Sequence, residues 1–363
     1  MTFPLMKKLL FVQPFFSHYR LPVMAELAHH FEVTIVTTKN DQGVGFGSPS
    51  ISNTQISKHV EVSSKNWFSG RLVYQQNLIE IVKKTKPNYV FACANVHDIG
   101  FWNMLIYCYF KKIPVYSHGQ GPYNKKKGAL VWIEYFTLTF FSKRYVAYTP
   151  FSFESFNYHG LSTSKIRVAH NSIINEFPVY PEEKTFATKG ILFIGRLRDG
   201  SNLDLLIDTV NDLSSNHPDI ICHIVGSGVL KTFYEEKYGN LSCIKWYGEV
   251  FDQKIISDLS RKCIIGCYPG NTGLSVVHYM SLSLPVVIHS NMELHGPETS
   301  YVIDGENGKI FDYQNKRKSL FDTLSVLLSN TEELRSMSRH SFNAYKSITS
   351  PSYAQQIINI IEE

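Results

Sequence analysis

The 363-residue chain has no Cys-x-x-Cys pair, no Asp-x-Asp, no low-complexity tract, and no run of the roughly 18 uninterrupted apolar residues that a membrane span requires. Its six cysteines, Cys93, Cys108, Cys222, Cys243, Cys263 and Cys267, sit largely in apolar runs such as YVFACA and KCIIGCY. A disulfide framework and a zinc site are therefore not expected; reduced core thiols in a cytoplasmic protein are. The opening MTFPLMKKLLFVQPFF has an apolar stretch too short for a signal peptide and fits a first strand. Acidic residues are scarce in the first half: residues 1–180 carry 19 Lys and Arg against 9 Asp and Glu, a net +10, and residues 181–363 carry 17 against 22, a net −5. The basic residues are scattered without a reading motif, which argues against nucleic acid as a partner.

What is present is a globular composition, 44% hydrophobic and 18% charged, in a chain long enough for two domains. Short apolar runs alternate with helical stretches. LLFVQP, FEVTIVTT, NYVFACA, IPVYSHG and KRYVAYT are separated by helices expected over 20–30, 71–86 and 98–112. GILFIG, IICHIVG, CIKWYG, CIIGCYPG and LPVVIHS repeat the scheme with helices near 201–214, 228–238, 252–261 and 273–283. Such alternation predicts an α/β protein of two doubly wound parallel sheets facing across a cleft. The expected organisation is a first domain over 1–174, a linker over 175–190, a second domain over 191–345, and a C-terminal helix over 346–363 crossing back to the first domain.

Anion chemistry concentrates in the second half. In PGNTGLSVVHYMSLSLPVV (269–287) a Gly-bearing turn opens a helix, so the backbone N–H groups of Gly273, Leu274 and Ser275 are first-turn donors suited to a phosphate. Gly226-Ser227-Gly228 is a second candidate anion turn, or simply a tight strand-to-helix turn. Gly195-Arg196-Leu197 ends the first strand of this domain, where ligands gather in open parallel sheets, and Arg196 would offer bidentate hydrogen bonds to a diphosphate.

The order GRL (195–197), GSG (226–228), YGE (247–249), PGNTGLSVVHYM, HGPE (295–298) and IDGENGKIF (303–311) resembles the donor half of GT-B fold glycosyltransferases of family four. The first half, with YRLPVMAELAHHFEVTIVTT, HGQG, VAYTP and KIRVAHNSI, is similar to the acceptor half of a bacterial polysaccharide-type branch. The resemblance covers essentially the whole chain. It implies a metal-independent hexosyltransferase that moves a sugar from a nucleotide-diphosphate sugar to a hydroxyl of a saccharide or lipid-linked saccharide, with retention, in cell-surface polysaccharide synthesis. No cofactor is implied beyond the nucleotide sugar as co-substrate, and the missing Asp-x-Asp agrees with that.

By the same resemblance Gly195, Arg196, Arg198, Gly226, Tyr247 and Gly248 border the donor with Gly273, Leu274 and Ser275, and Tyr247 and Gly248 lie near the base. The family's Glu-x7-Glu pair falls on Gly270 and His278, so both carboxylates are missing; His278 and Glu298 are expected to take over their contacts. Ser201 stands where a second cation is usual, leaving Arg198 as its replacement. His118 is the implied reaction-centre residue beside Arg196, and His18, Tyr19, Arg20, Asn95, His97, Gly119 and Gln120 are the implied acceptor-side contacts. Two other readings stay open on the same fold, a nucleotide-sugar epimerase and a non-catalytic nucleotide-sugar-binding subunit. Lysines flanking the apolar helix ALVWIEYFTLTFF fit either contact with an anionic membrane, at its inner face, or solvated ends of an ordinary core helix.

Overall fold

The computed structural model describes residues 6–39, 58–67 and 71–363. The chain forms two compact units, Met1–Asn171 together with Pro351–Glu363, and Ser172–Ser350. In the first, β1 (Lys8–Val12), β2 (Glu32–Thr38) and β3 (Lys58–Val62) lead to a small hairpin of β4 (Ser64–Trp67) and β5 (Leu72–Gln75). The strands β6 (Tyr89–Cys93), β7 (Val115–Gly119), β8 (Arg144–Ala147) and β9 (Ile166–Val168) then complete a parallel sheet of order β3-β2-β1-β6-β7-β8-β9. Helices α1 (Leu21–Ala28), α2 (Leu78–Thr85), α3 (Ile99–Phe110), α4 (Ala129–Phe141) and α5 (Pro150–Tyr158) connect the strands. The central strands are buried along nearly their whole length, as parallel strands covered on both faces must be.

Local chemistry sets the helix starts. Asp98 is buried and accepts hydrogen bonds from the amides of Gly100 (2.8 Å) and Phe101 (3.4 Å), capping α3. Thr149 does the same for α5, with Pro150 at its first position. Asp98 also accepts from the Gln75 amide at 3.1 Å. This bond helps explain why residues 71–86, expected as one helix, divide into β5 and α2.

The second unit has a parallel sheet of order β12-β11-β10-β13-β14-β15, formed by β10 (Lys189–Ile194), β11 (Ile220–Val225), β12 (Ile244–Gly248), β13 (Cys263–Cys267), β14 (Val286–His289) and β15 (Gly308–Phe311). Its helices are α6 (Leu203–Ser214), α7 (Lys231–Tyr238), α8 (Gln253–Ser260), α9 (Ser275–Ser281), α10 (Lys316–Ser329) and α11 (Thr331–Thr349). Residues 175–190, expected as a linker, pack on this unit. Asn175 Nδ2 donates to Ser281 Oγ at 2.9 Å, Val179 is fully buried, and Lys184 Nζ donates to the Ser260 carbonyl at 2.7 Å. The second-domain boundary expected at 345 falls inside α11, and the chain passes to the first unit after Ser350.

The last helix, α12 (Tyr353–Glu362), belongs to the first unit and packs on α1. Ser352 caps it and donates to Glu26 of α1 at 2.6 Å, while Tyr116 of β7 donates to the Ile361 carbonyl at 3.0 Å. All six cysteines are free, and burial pushes each thiol's pKa up.

Candidate functional site

In the second sheet β10 lies between β11 and β13, and the connections leave β10 and β13 toward opposite edges. The loops leaving such a pair of strands diverge and open a crevice at their carboxyl ends. Here the crevice is a cavity of about 350 Å³ lined by Gly195, Arg196 and Arg198 after β10, and by Tyr268, Asn271, Thr272, Gly273 and Ser275 after β13. No carboxylate lines it, whereas two guanidinium groups do. Both cations act on the Tyr268 hydroxyl, whose pKa burial nonetheless raises. The loops are latched by the Asn271 amide donating to the Gly200 carbonyl at 2.8 Å.

Thr272 is 6% exposed, and its Oγ1 is buried without a hydrogen-bond partner. Its backbone is held from behind by the loop after β14. The Thr272 amide donates to His295 Nδ1 at 3.2 Å and the Gly296 amide to the Thr272 carbonyl at 2.6 Å. With Nδ1 accepting, the proton of neutral His295 resides on Nε2, which donates to the His289 carbonyl at 3.0 Å. Burial lowers the His295 pKa and favours this neutral form. His295 thus positions Thr272 for the cavity.

Glu298, expected to take over a missing donor contact, is 3% exposed, with its carboxylate wedged where Gly273 and Gly296 approach each other. Gly270, at the first missing carboxylate, has no room for a side chain: a Cβ there would stand 2.2 Å from the Gly200 carbonyl oxygen. His278, at the second, has a shielded Nε2 without a hydrogen-bond partner, and burial pushes its pKa down to about 4. It does not line the cavity, and neither does Leu274.

The Gly-Ser-Gly turn also lies outside the cavity lining. Gly226 has φ 144°, and a Cβ on it would meet the Gly195 carbonyl oxygen at 1.9 Å. Its amide donates to the Gly248 carbonyl at 2.7 Å, and the Ser227 carbonyl accepts from the Leu197 amide at 2.9 Å, so this turn buttresses the Arg196 loop. Tyr247 is partly exposed outside the cavity, with its hydroxyl 2.8 Å from His223 Nδ1.

In the first unit, His118 at the end of β7 is 4% exposed and enclosed by aromatic rings. It stacks on Phe91 (4.5 Å, 20°), with Phe11 and Tyr148 each at 5.8 Å. Neither ring nitrogen makes a hydrogen bond. Burial, reinforced by Arg20, pushes its pKa down to about 3, so it is neutral at physiological pH and does not serve as a cation. Arg20, expected to face acceptor or phosphate, is 7% exposed. It donates to Asn171 Oδ1 and lies over the rings of Tyr19 (5.1 Å) and Tyr353 (4.8 Å), joining the loop after β1 to α12. Asn95 Oδ1 accepts from the His97 amide at 3.2 Å within its own turn, while His97 and Gln120 are exposed and Gly119 is buried. The side chain of His18 lies outside the described residues.

Tyr268, Asn271 and Thr272 escaped the sequence reading although they stand inside the quoted segment or beside it. A Thr directly before the glycine that opens a helix was the available signal. Among the described residues no group of three His, Cys, Asp or Glu is placed to hold a metal ion.

Residues 181–344 match the family model described as Glycosyl transferases group 1. No curated protein matches the chain. Among solved structures, HepE of Anabaena, determined in complex with UDP, superposes with TM-score 0.71 at 14% identity over 98% of this chain and 100% of that one. A glycosyltransferase of Rickettsia africae gives 0.67 at 15% identity, over 99% and 97%. The lipopolysaccharide outer core galactosyltransferase WaaB gives 0.66 at 16% identity, over 98% and 99%. The fold is GT-B, with two parallel-sheet α/β units, and the second unit holds the segment that matches the glycosyl transferase model.

Proposed function

We propose that the protein transfers a sugar from a nucleoside-diphosphate sugar to a hydroxyl of a saccharide or lipid-linked saccharide, with retention and without a metal ion, in polysaccharide synthesis. The observation that carries this reading is the acid-free cavity at the switch point of the second sheet, inside the segment that matches the glycosyl transferase model. A diphosphate leaving as the sugar departs carries growing negative charge. Arg196 and Arg198 neutralise it, and the hydroxyls of Thr272 and Ser275 donate to its oxygens. The buried, unpaired Thr272 hydroxyl gains a partner only when an acceptor oxygen enters. The first unit takes the acceptor.

The packed backbone at Gly270, which leaves no space for a carboxylate, favours a second reading, a subunit that binds a nucleotide sugar without turnover. One assay separates the two. The purified protein is incubated with a panel of nucleotide sugars, with and without glycan acceptors, and released nucleoside diphosphate is measured. Acceptor-dependent release is expected. Binding without release establishes the second reading, interconversion of the sugars indicates an epimerase, and absence of both binding and release overturns the assignment of the cavity.

A further inference from the structure

Helix α4, ALVWIEYFTLTFF, buries only Tyr135 and Leu138. Its remaining surface exposes large apolar side chains: Trp132 is 39% exposed, Ile133 54%, Phe136 48% and Phe140 49%. Trp132, Phe136 and Phe140 follow an i, i+4, i+8 spacing and form one continuous ridge, with Trp132 stacked on Phe136 at 4.7 Å and Phe136 on Phe140 at 6.4 Å. Tyr109 at the end of α3 extends it, 5.7 Å from Phe140, and the neighbouring Phe110 is 74% exposed. The helix carries one charge, Glu134, paired to Lys125 at 2.7 Å. An apolar ridge of this extent on a folded surface marks a docking face.

Both ends of the ridge are basic. Lys126 and Lys127 are exposed before α4, and Lys111, Lys112 and Lys143 are exposed around its far end. There a cavity of about 630 Å³ opens between Tyr109, Phe140, Lys112, Lys143 and Arg144. The Nε of Arg144 is buried without a hydrogen-bond partner. The one acid lining this cavity, Glu363, is bonded to Arg167 at 2.7 Å.

We infer that the α3–α4 face of the first unit docks on an anionic lipid bilayer, with α4 lying in the plane of the interface and the flanking cations on the phosphate layer. A helix of 13 residues is about 20 Å long, short of the roughly 30 Å hydrocarbon thickness, so it lies in the surface and does not cross it. Charge complementarity selects the occupant. A two-fold contact between copies with antiparallel α4 helices would set Lys126 and Lys127 of one against Lys143 and Arg144 of the other, whereas anionic headgroups neutralise both ends at once. The inference is independent of the transfer reaction.

The test is flotation of the full chain with phosphatidylcholine vesicles, with and without phosphatidylglycerol, at low and high salt. Binding is expected only to the anionic vesicles and is weakened by salt. It should fall about tenfold or more in Phe136→Ser/Phe140→Ser, because two large side chains no longer enter the apolar layer, and also in Lys126→Glu/Lys127→Glu, which leaves the apolar ridge intact. Circular dichroism and affinity for nucleoside diphosphate, read on the same variants, should not change, which separates loss of docking from loss of fold or of the donor site. Failure to bind anionic vesicles, unchanged binding by both variants, or a dimer in solution that Phe136→Ser/Phe140→Ser dissociates would each overturn the inference.

Discussion

The carboxylate of Glu298 and the backbone of Gly273 meet at the entrance to α9: a Cβ placed on Gly273 would stand 3.1 Å from Glu298 Oε2 and 3.3 Å from the Gly296 Cα. Glu298 is almost fully enclosed and cannot swing into solvent to make room. The glycine is therefore set by the carboxylate behind it as much as by any ligand in front.

Gly273→Ala should cost about 1–2 kcal/mol of stability through overpacking and weaken nucleoside-diphosphate binding as the loop shifts. The two residues share one space, so their effects are coupled. In a Glu298→Ala background the added methyl finds room, and its cost should shrink. Chemical denaturation of the two single variants and the double variant measures this, and strictly additive losses would sink the relationship.

Restoring a carboxylate at position 270 tests whether its absence is a matter of sequence or of space. A Cβ there collides with backbone atoms, at 2.2 Å from the Gly200 carbonyl oxygen and 2.5 Å from the Ser201 carbonyl carbon. Neither can move without displacing the Arg196 loop. Gly270→Glu should lose about 3 kcal/mol or more and gain no transfer activity. A stable variant with raised activity would show that the loop adapts, and that the packing at Gly270 is not what excludes the acid.

The parallel sheets were legible because strands buried on both faces are written as continuous apolar runs, as in LLFV and ILFI. Two edge strands were not: KHVEV of β3 is half exposed, and GKIF of β15 is only four residues long. Arg196 and the PGNTG turn were legible as anion chemistry, since charge and glycine announce themselves at strand ends. The inward role of Glu298 was not, because nothing in HGPE says whether its acid points at solvent or into protein. The exposure of α4 was also hidden, since an apolar helix has the same composition whether it lies in a core or on a surface.

Replacing the Thr272 hydroxyl by a methyl group separates stability from ligand binding. The buried Oγ1 is without a partner in the unliganded protein, so Thr272→Val removes a desolvated polar atom at nearly constant shape. The unliganded protein should become more stable by roughly 1 kcal/mol. Affinity for a nucleoside diphosphate should fall several-fold, because the hydroxyl that would donate to it is gone. Thermal melting together with calorimetric titration of UDP and GDP reads both effects, and unchanged affinity for every nucleotide that binds would remove Thr272 from the site.

Arg196→Ala should act chiefly on binding. Its side chain is half-exposed beside the cavity, so truncation leaves no large void, yet it removes one of two cations facing the proposed diphosphate. A charge-assisted contact of this kind corresponds to a loss of about tenfold or more in affinity. Arg196→Lys should recover only part of it, since an ammonium cannot bond two oxygens in the guanidinium's fork geometry. Equal affinity in the wild type and the alanine variant would dismiss the residue's role.

His118 provides a prediction in pH. Its folded-state pKa is lowered from the ordinary 6.5 to about 3, first by burial and then by Arg20. The unfolded chain therefore takes up a proton below about 6.5 that the folded chain refuses until about 3. The stability associated with the neutral ring is fully present above 6.5 and drains away as pH falls through that window, at roughly 1.4 kcal/mol per unit. Other histidines, His223, His278 and His289, are shifted the same way by desolvation and add to the total. The specific signal is thus the difference between wild type and His118→Phe, whose ring fits among Phe11, Phe91 and Tyr148 without a titrating group. Between pH 7 and pH 5 the wild type should lose about 2 kcal/mol more than the variant, measured by urea unfolding at both pH values. Parallel losses would mean that the His118 ring accepts its proton in the folded state near the ordinary pKa, and that it is open to solvent.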